Sequence, residues 1–217
     1  MERRRWVLYL HEIFNSITHG IGVLLSIAAL VLLIVFAAIR NGDTWQIVSF
    51  SIYGASLIIL YMSSTLFHAI QRKKTKKFFN LFDHASIFML IAGTYTPFCL
   101  VPLRGPWGWT LFGIIWGLAI AGVLFKIFFY SDKLRIIGTL LYIGMGWIII
   151  IALGPLVQNV PAGAIYWLLA GGLSYSLGVI FYLWRKYRFS HVIWHLFVLG
   201  GSICHFFAIF LYLLPSR

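Results

Sequence analysis

Residues 17–39 read ITHGIGVLLSIAALVLLIVFAAI, and the twenty residues from Gly20 to Ile39 carry no Asp, Glu, Lys or Arg. A helix crossing the hydrocarbon core of a bilayer needs about 20 predominantly apolar residues, so this stretch reads as a membrane span. The same reading repeats along the chain, predicting further spans at 45–67, 81–101, 108–129, 136–157, 163–183 and 191–213. Turn-forming residues separate them: Asn41-Gly42-Asp43, Pro102 to Pro106, Ser131-Asp132-Lys133, and Gly154-Pro155 through Pro161-Ala162-Gly163. Connections are short except for 68–80. Trp6, Trp45, Trp107, Trp109, Trp167 and Trp184 fall near span ends, where amphipathic rings settle at the headgroup level. Gly113-xxx-Gly117 is a spacing that suggests a close helix approach. The expected fold is all-α: a bundle of seven transmembrane helices making one membrane domain over residues 1–217.

Composition agrees. Of the 217 residues, 61% are hydrophobic and 10% charged, against about a quarter charged in soluble domains. A mean hydropathy of +0.93 over the whole length excludes a soluble globule with one greasy patch. Met1-Glu-Arg-Arg-Arg5 resembles the charged start of a signal peptide, but Glu12, Asn15 and His19 interrupt the stretch after it and no small-residue cleavage site precedes the first span. The segment is therefore expected to be retained. Cys99 and Cys204 both lie in apolar runs and suggest neither a disulfide framework nor a cysteine-based metal knuckle.

A net charge of +12 invites a nucleic-acid reading, but the cations sit almost wholly in the connections. Arg3, Arg4, Arg5, Arg72, Lys73, Lys74, Lys76, Lys77, Lys126, Lys133, Arg135, Arg185, Lys186 and Arg188 fall on one side of a seven-span topology; only Arg40, Arg104 and Arg217 fall on the other. By the positive-inside rule the N-terminus is cytoplasmic and the C-terminus outside, in a multi-pass protein of the cell membrane. That sorting needs an odd number of spans, and seven satisfies it.

Topology then assigns depth. His68 ends the second span, with Ser64 one turn away on the same face. Asp83 begins the third span, and His191 and His195 begin the seventh, one turn apart. Glu12, Asn15 and His19 lie at the start of the first. All fall in one cytoplasmic-side layer. Singly, each has a plainer account: Asp83 as an N-cap, His191 as a headgroup contact. Together, three imidazoles on two helices with a carboxylate and a hydroxyl nearby match the needs of a catalytic zinc, which takes three protein ligands and keeps a fourth position for water. His-x-x-x-His lacks the Glu of His-Glu-x-x-His, so the base comes from elsewhere, and Asp83 is the candidate. His205 lies ten residues beyond His195, roughly 15 Å along a helix; it is expected to be a hydrogen-bonded histidine within the bundle. His84 points away from Asp83 and is read as supporting or structural, and His11 as interfacial.

Glu12-xx-Asn15-xxx-His19, Ser64-Thr-Leu-Phe-His68, Phe82-Asp83-His84 and His191-xxx-His195 resemble, in order and position, the motifs of the hemolysin III proteins, the bacterial branch of the progestin and adipoQ receptor family. The resemblance covers essentially the whole chain. It implies an intramembrane Zn2+ near the cytoplasmic face at His68, His191 and His195, with Asp83 holding the zinc-bound water and Ser64 assisting. It also implies kinship with alkaline ceramidases, hence amide hydrolysis of a membrane lipid, and a link to membrane lipid homeostasis.

Three functions are then open to test. The first is a zinc-dependent lipid hydrolase with Asp83 and Ser64 as its catalytic residues. The second is a non-enzymatic sensor of membrane state with a structural zinc. The third, a pore, has the least support, because the polar residues gather in one leaflet instead of forming a stripe across both.

Overall fold

The computed structural model of the chain describes residues 2–129, 134–184 and 189–215; the side chains of residues 2–5 and 7–9 lie outside that description. The predicted break at Ser131-Asp132-Lys133, the cations Lys133, Arg185, Lys186, Arg188 and Arg217, and the side chains of Arg3, Arg4 and Arg5 therefore fall outside the described residues.

Eight α-helices and no strand are found among the described residues: α1 Glu2–Ile39, α2 Thr44–Ala69, α3 Lys73–Leu100, α4 Pro106–Phe128, α5 Arg135–Trp147, α6 Leu153–Asn159, α7 Ala162–Leu183 and α8 Ser190–Tyr212. A short 3-10 segment, Ile148–Ala152, joins α5 to α6, so that Arg135–Asn159 acts as one broken rod. This gives seven rods, up and down, as expected. Helix neighbours follow chain order, and the ring closes where α8 packs against both α7 and α1.

Six of the rods are long and apolar enough to cross a membrane by length and composition alone, and α3 is the exception. Its surroundings explain this. Contacts with α2, α4 and α5 enclose it, and every residue from Ala92 to Leu100 is buried. A helix wrapped in protein can carry Thr94 and Thr96, whose hydroxyls donate to the carbonyls of Leu90 and Ala92. Where α3 meets α2, Gly93 lies so close to Ser56 that no side chain fits between them. The outward surface is the reverse: Leu24, Ile39, Phe128 and Ile151 are 69–72% exposed. An apolar exterior of that extent has lipid as its solvent.

Several expected boundaries move. α1 begins at Glu2 instead of near 17, because Glu12, Asn15 and His19 turn inward instead of ending the helix. The long connection at 68–80 shrinks to Ile70–Arg72, since α3 starts at Lys73 in residues too polar to register as a span. Asp83 is thus an interior helical residue and not an N-cap. Gly154-Pro155 lies within the fifth rod, not after it. Pro155 has no N–H for the carbonyl of Ile151, and its ring crowds that carbonyl, so the helix tightens to 3-10 just upstream. Tyr95 repairs the break: its hydroxyl lies 2.9 Å and 2.8 Å from the Met145 and Gly146 carbonyls and accepts from Ile149 N at 2.9 Å. The suggested Gly113/Gly117 approach is absent, as nothing lies within 4 Å of a Cβ built at either.

The Asn41-Gly42-Asp43 break is built as the sequence suggests. Asn41 takes a left-handed φ of 56°, and Asp43 caps α2, accepting from Gln46 N at 2.9 Å while Gln46 Oε1 accepts from Asp43 N at 2.9 Å. Arg104 pairs with Asp43 at 2.9 Å, and Arg40 reaches the Pro215 carbonyl, so both cations mark this end of the bundle. The start of α3, with Lys73, Lys74, Lys76 and Lys77, lies at the other end, together with Lys126 and Arg135. The polar cluster shares that second end.

Candidate metal centre

Four helices deliver the cluster. α2 brings Ser64 and His68 in its last turns, α8 brings His191 and His195 in its first, α1 contributes a polar stripe from Glu12 to His19, and α3 adds Lys76 and Asp83. Helical repeat places Ser64 and His68 on one face, and likewise His191 and His195.

His68, His191 and His195 each offer a ring nitrogen, and the three nitrogens lie within 4.8 Å of one another. The rings converge, with centroids 5.2 Å apart for His68 and His191, 5.1 Å for His68 and His195, and 4.6 Å for His191 and His195. His68 and His195 are 4% and 1% exposed.

The tautomers can be read from the partners. His68 Nδ1 lies 2.7 Å from Glu12 Oε2, and an ionised carboxylate only accepts. His68 therefore donates from Nδ1 and turns the lone pair of Nε2 inward, where Nε2 is buried without a partner. At His195, Nδ1 lies 3.3 Å from Thr18 Oγ1. The Thr18 proton already faces the Phe14 and Asn15 carbonyls at 2.9 Å and 3.0 Å, so its oxygen is free to accept. His195 thereby also donates from Nδ1 and keeps Nε2 for the centre. Histidines that bind metals are held in this way, with one nitrogen donating to an oxygen and the other bare. Three imidazole nitrogens within 4.8 Å of one another, that of His68 orphaned, fit a divalent transition metal with a vacant fourth position.

The Glu12 carboxylate is shared. Its second oxygen accepts from Lys76 Nζ at 2.7 Å, and the same amine lies 5.1 Å from the Phe67 ring centroid. Glu12 thus ties α1 to α2 and α3 across the mouth of the cluster. His19 stacks on His195 with centroids 3.5 Å apart and meets the Tyr61 ring edge-on at 5.0 Å. Both its nitrogens are buried and unpartnered, as are Asn15 Oδ1 and Ser64 Oγ. Orphaned polar atoms on this scale are rare in native interiors; here they crowd around one point.

Asp83 is not one of the converging ligands. Its carboxylate is 16% exposed and 3.8 Å from His84 Nδ1. It sits at the cluster's level, because Ser86, which donates to the Asp83 carbonyl, is 3.1 Å from Ser63, the neighbour of Ser64. His84 is a structural link: Nδ1 is 2.8 Å from the Asn80 carbonyl and Nε2 is 3.3 Å from Tyr182 Oη on α7. His11 packs on Phe189 with ring centroids 4.5 Å apart. His205 stands away from the cluster, with Nε2 3.2 Å from the Leu168 carbonyl.

Sequence reading placed Glu12 and His19 at this level without giving them a role, counted Lys76 only as a topological charge, and passed over Thr18. The available signal was the spacing of Glu12, Asn15 and His19, at i, i+3 and i+7, which stripes one face of a helix.

A family model described as haemolysin-III related matches residues 8–206. Hemolysin-3 of Bacillus cereus is 53% identical over 205 residues, which cover 94% of this chain and 93% of that protein. The Hemolysin-3 homolog of Bacillus subtilis (strain 168) is 53% identical over 93% of each chain. More distantly, the human Monocyte to macrophage differentiation factor is 32% identical over 182 residues, 81% of this chain and 75% of its own.

Proposed function

The chain belongs to the haemolysin-III-related family, and from that premise we propose that it is a zinc-dependent membrane hydrolase cleaving an acyl amide in a lipid. The observation that carries the reading is His68: Nδ1 is pinned by Glu12, Nε2 is buried and bare, and two more imidazole nitrogens lie within 4.8 Å. Zinc bound by His68, His191 and His195 would supply Lewis acidity and bring the pKa of a bound water to about 7.

The chain's own groups do the rest. Glu12 and Thr18 hold two of the imidazoles in the donor-out, lone-pair-in orientation. Asp83 takes the proton of the attacking water, general-base work worth about 10²–10⁴ in rate. Ser64 donates its unpartnered hydroxyl to the oxygen of the scissile carbonyl as charge grows there. A groove of about 250 Å³ between α1, α2 and α8 begins one turn along α8 from His195 and would seat a lipid chain beside the centre. Leu25 and Leu32 flank it toward the bilayer, and Tyr61, the neighbour of His19, forms its inner wall. The products are a carboxylate and an amine. Charge sorting in the sequence puts the site on the cytoplasmic side.

The test is metal analysis of purified protein, with released fatty acid followed by mass spectrometry over a lipid panel. Wild type should carry one zinc and release fatty acid. The His68→Ala/His191→Ala double variant should carry none. Asp83→Asn should keep zinc and lose at least about 100-fold in rate. No stoichiometric metal in wild type refutes the centre. The position of Asp83 outside the converging group favours one second reading, a sensor of membrane state with a structural metal. That reading gains if wild type binds zinc, releases nothing, and unfolds on loss of His195.

A further inference from the structure

One buried cation takes no part in the histidine centre. Lys126 lies in the last turn of α4, at the same end of the bundle as the histidines, and is 5% exposed. A lysine at a span end commonly lays its stem along apolar surface and leaves its ammonium in water. This one turns across to α5. Nζ and Cε fill the space that a Cβ at Gly138 would need, 2.6 Å and 3.1 Å from it. Nζ also lies 5.6 Å from the centroid of the Tyr142 ring, one turn further along α5. Tyr142 is itself fixed, donating to the His84 carbonyl at 2.7 Å and packing on Phe88 with ring centroids 4.5 Å apart.

Among the described residues Lys126 has neither a hydrogen bond nor an ion pair. The ring face offsets only part of the cost of drawing an ammonium out of water. No described carboxylate lies within ion-pair reach of it. Glu12 holds His68 and Lys76, Asp43 holds Arg104, and Asp83 lies against His84. The side chain of Glu2 and all of Asp132, the other two of the five acidic residues, lie outside the described residues. Nζ is not among the fully enclosed unpartnered atoms, so the little surface that Lys126 keeps includes its amine. Arg135, the first residue of α5 and one turn before Gly138, adds a second cation at this end, its guanidinium carbon 5.4 Å from the Tyr182 ring centroid.

We propose that the gap between α4 and α5 at this end is a phosphate-binding site, with Lys126 Nζ donating to a phosphate oxygen. An ammonium has three donors and no acceptor, so it selects an acceptor, and burial favours one that also carries the opposite charge. Phosphate is the anion that both neighbouring phases supply at this depth. It arrives as the phosphodiester of a lipid headgroup, sideways from the leaflet, or as free phosphate from water. Basic pockets between spans on the cytoplasmic side hold anionic headgroups in this way. Phe128 and Phe129, just beyond Lys126, are 72% and 61% exposed, so lipid borders the gap. Gly138 admits the amine, because a side chain at that position would claim its place. The site uses none of the three histidines, and the inference does not rest on the hydrolase reading.

Native mass spectrometry of the full-length protein in a neutral detergent tests it, with dioleoylphosphatidylglycerol, dioleoylglycerol and inorganic phosphate as probes. Loss of one charge-assisted hydrogen bond corresponds to about tenfold in affinity. Wild type should bind phosphatidylglycerol about tenfold more tightly than Lys126→Gln does, and dioleoylglycerol should not distinguish the two. Gly138→Ala keeps the charge and displaces the amine, so it should weaken phosphatidylglycerol binding by a similar factor. Lys74→Gln, which removes an exposed lysine at the same end, should change binding by less than about twofold. Should Lys126→Gln not fold, Gly138→Ala decides. Inorganic phosphate separates the two sources, and either result supports the proposal: displacement of phosphatidylglycerol from wild type means that free phosphate enters, and no displacement means that the lipid alone does. Equal phosphatidylglycerol binding by wild type and Lys126→Gln, unchanged binding in Gly138→Ala, or an equally large loss in Lys74→Gln overturns the proposal. So does tighter binding in Asp132→Asn, which would make Asp132 the counter-ion of Lys126.

Discussion

Glu12 offers the sharpest test of how the metal centre is held. Its carboxylate accepts from His68 Nδ1 at 2.7 Å while its other oxygen accepts from Lys76 at 2.7 Å. Removing an outer partner of a metal-binding histidine costs about 10–100-fold in metal affinity, or about 1.4–2.8 kcal/mol at 1.4 kcal/mol per tenfold. Two features set where Glu12 variants fall in that range. The side chain is 30% exposed and Lys76 draws on the same carboxylate, so its charge is partly screened and shared. Glu12→Gln keeps an oxygen to accept the Nδ1 proton and loses only the charge, so about tenfold weaker zinc binding is expected. Glu12→Ala also frees the His68 ring to rotate, so about 100-fold is expected. Lys76→Met should have little effect, because Glu12 can still accept from His68. The assay is competition for zinc against a calibrated chelator, with helicity and elution volume checked for each variant. A Glu12→Ala protein that is folded and binds zinc within about twofold of wild type would refute this account of His68.

The same structure sets other outcomes. Zinc at 100 times its dissociation constant should stabilise the fold by about 2.7 kcal/mol, so chelation should lower the melting temperature of wild type and leave the His68→Ala/His191→Ala variant unmoved. Tyr95→Phe strands the Ile149 N–H at the 3-10 break and should cost about 1–3 kcal/mol, read as a lower thermal midpoint with zinc content unchanged. Gly93→Val forces a branched side chain into Ser56 between α2 and α3 and should cost about 1–3 kcal/mol by overpacking; an unchanged midpoint would mean that the two helices separate more easily than their packing suggests.

Much of the fold was legible because a bilayer imposes a one-dimensional code: about 20 apolar residues, a break, and a charge bias. That code describes contact with lipid and nothing else. It failed where helices leave the hydrocarbon, at the start of α1 and in the Lys-rich start of α3, and it is silent on hydrogen-bond patterns within a span, so the 3-10 segment before Pro155 went unseen. The histidines were legible for a similar reason, since i to i+4 spacing and common depth are both properties of one chain direction. Glu12 meeting His68, Thr18 meeting His195 and His19 stacking on His195 are encounters between different helices. Each depends on how far every helix is rotated about its axis, which spacing along the chain does not encode. Asp83 is read from depth alone, as a base beside the ligands and not as one of them, and Ser86 ties its carbonyl to the level of Ser63.

The shielded position of α3 bears on how the chain enters the bilayer during synthesis. Asp83 and His84 near one end, and Thr94 and Thr96 farther along, leave α3 less apolar than the windows of the other six rods. Polar groups in a span cost free energy on insertion scales, and α3 recovers it by burying these groups against its neighbours: Trp116 of α4 donates to Thr96 at 3.1 Å, and Tyr182 of α7 lies 3.3 Å from His84 Nε2. It is therefore a passenger: stable partition of α3 waits for α4 to emerge, so nascent chains arrested between the two should leave α3 extractable by alkali, and chains arrested beyond α4 should not.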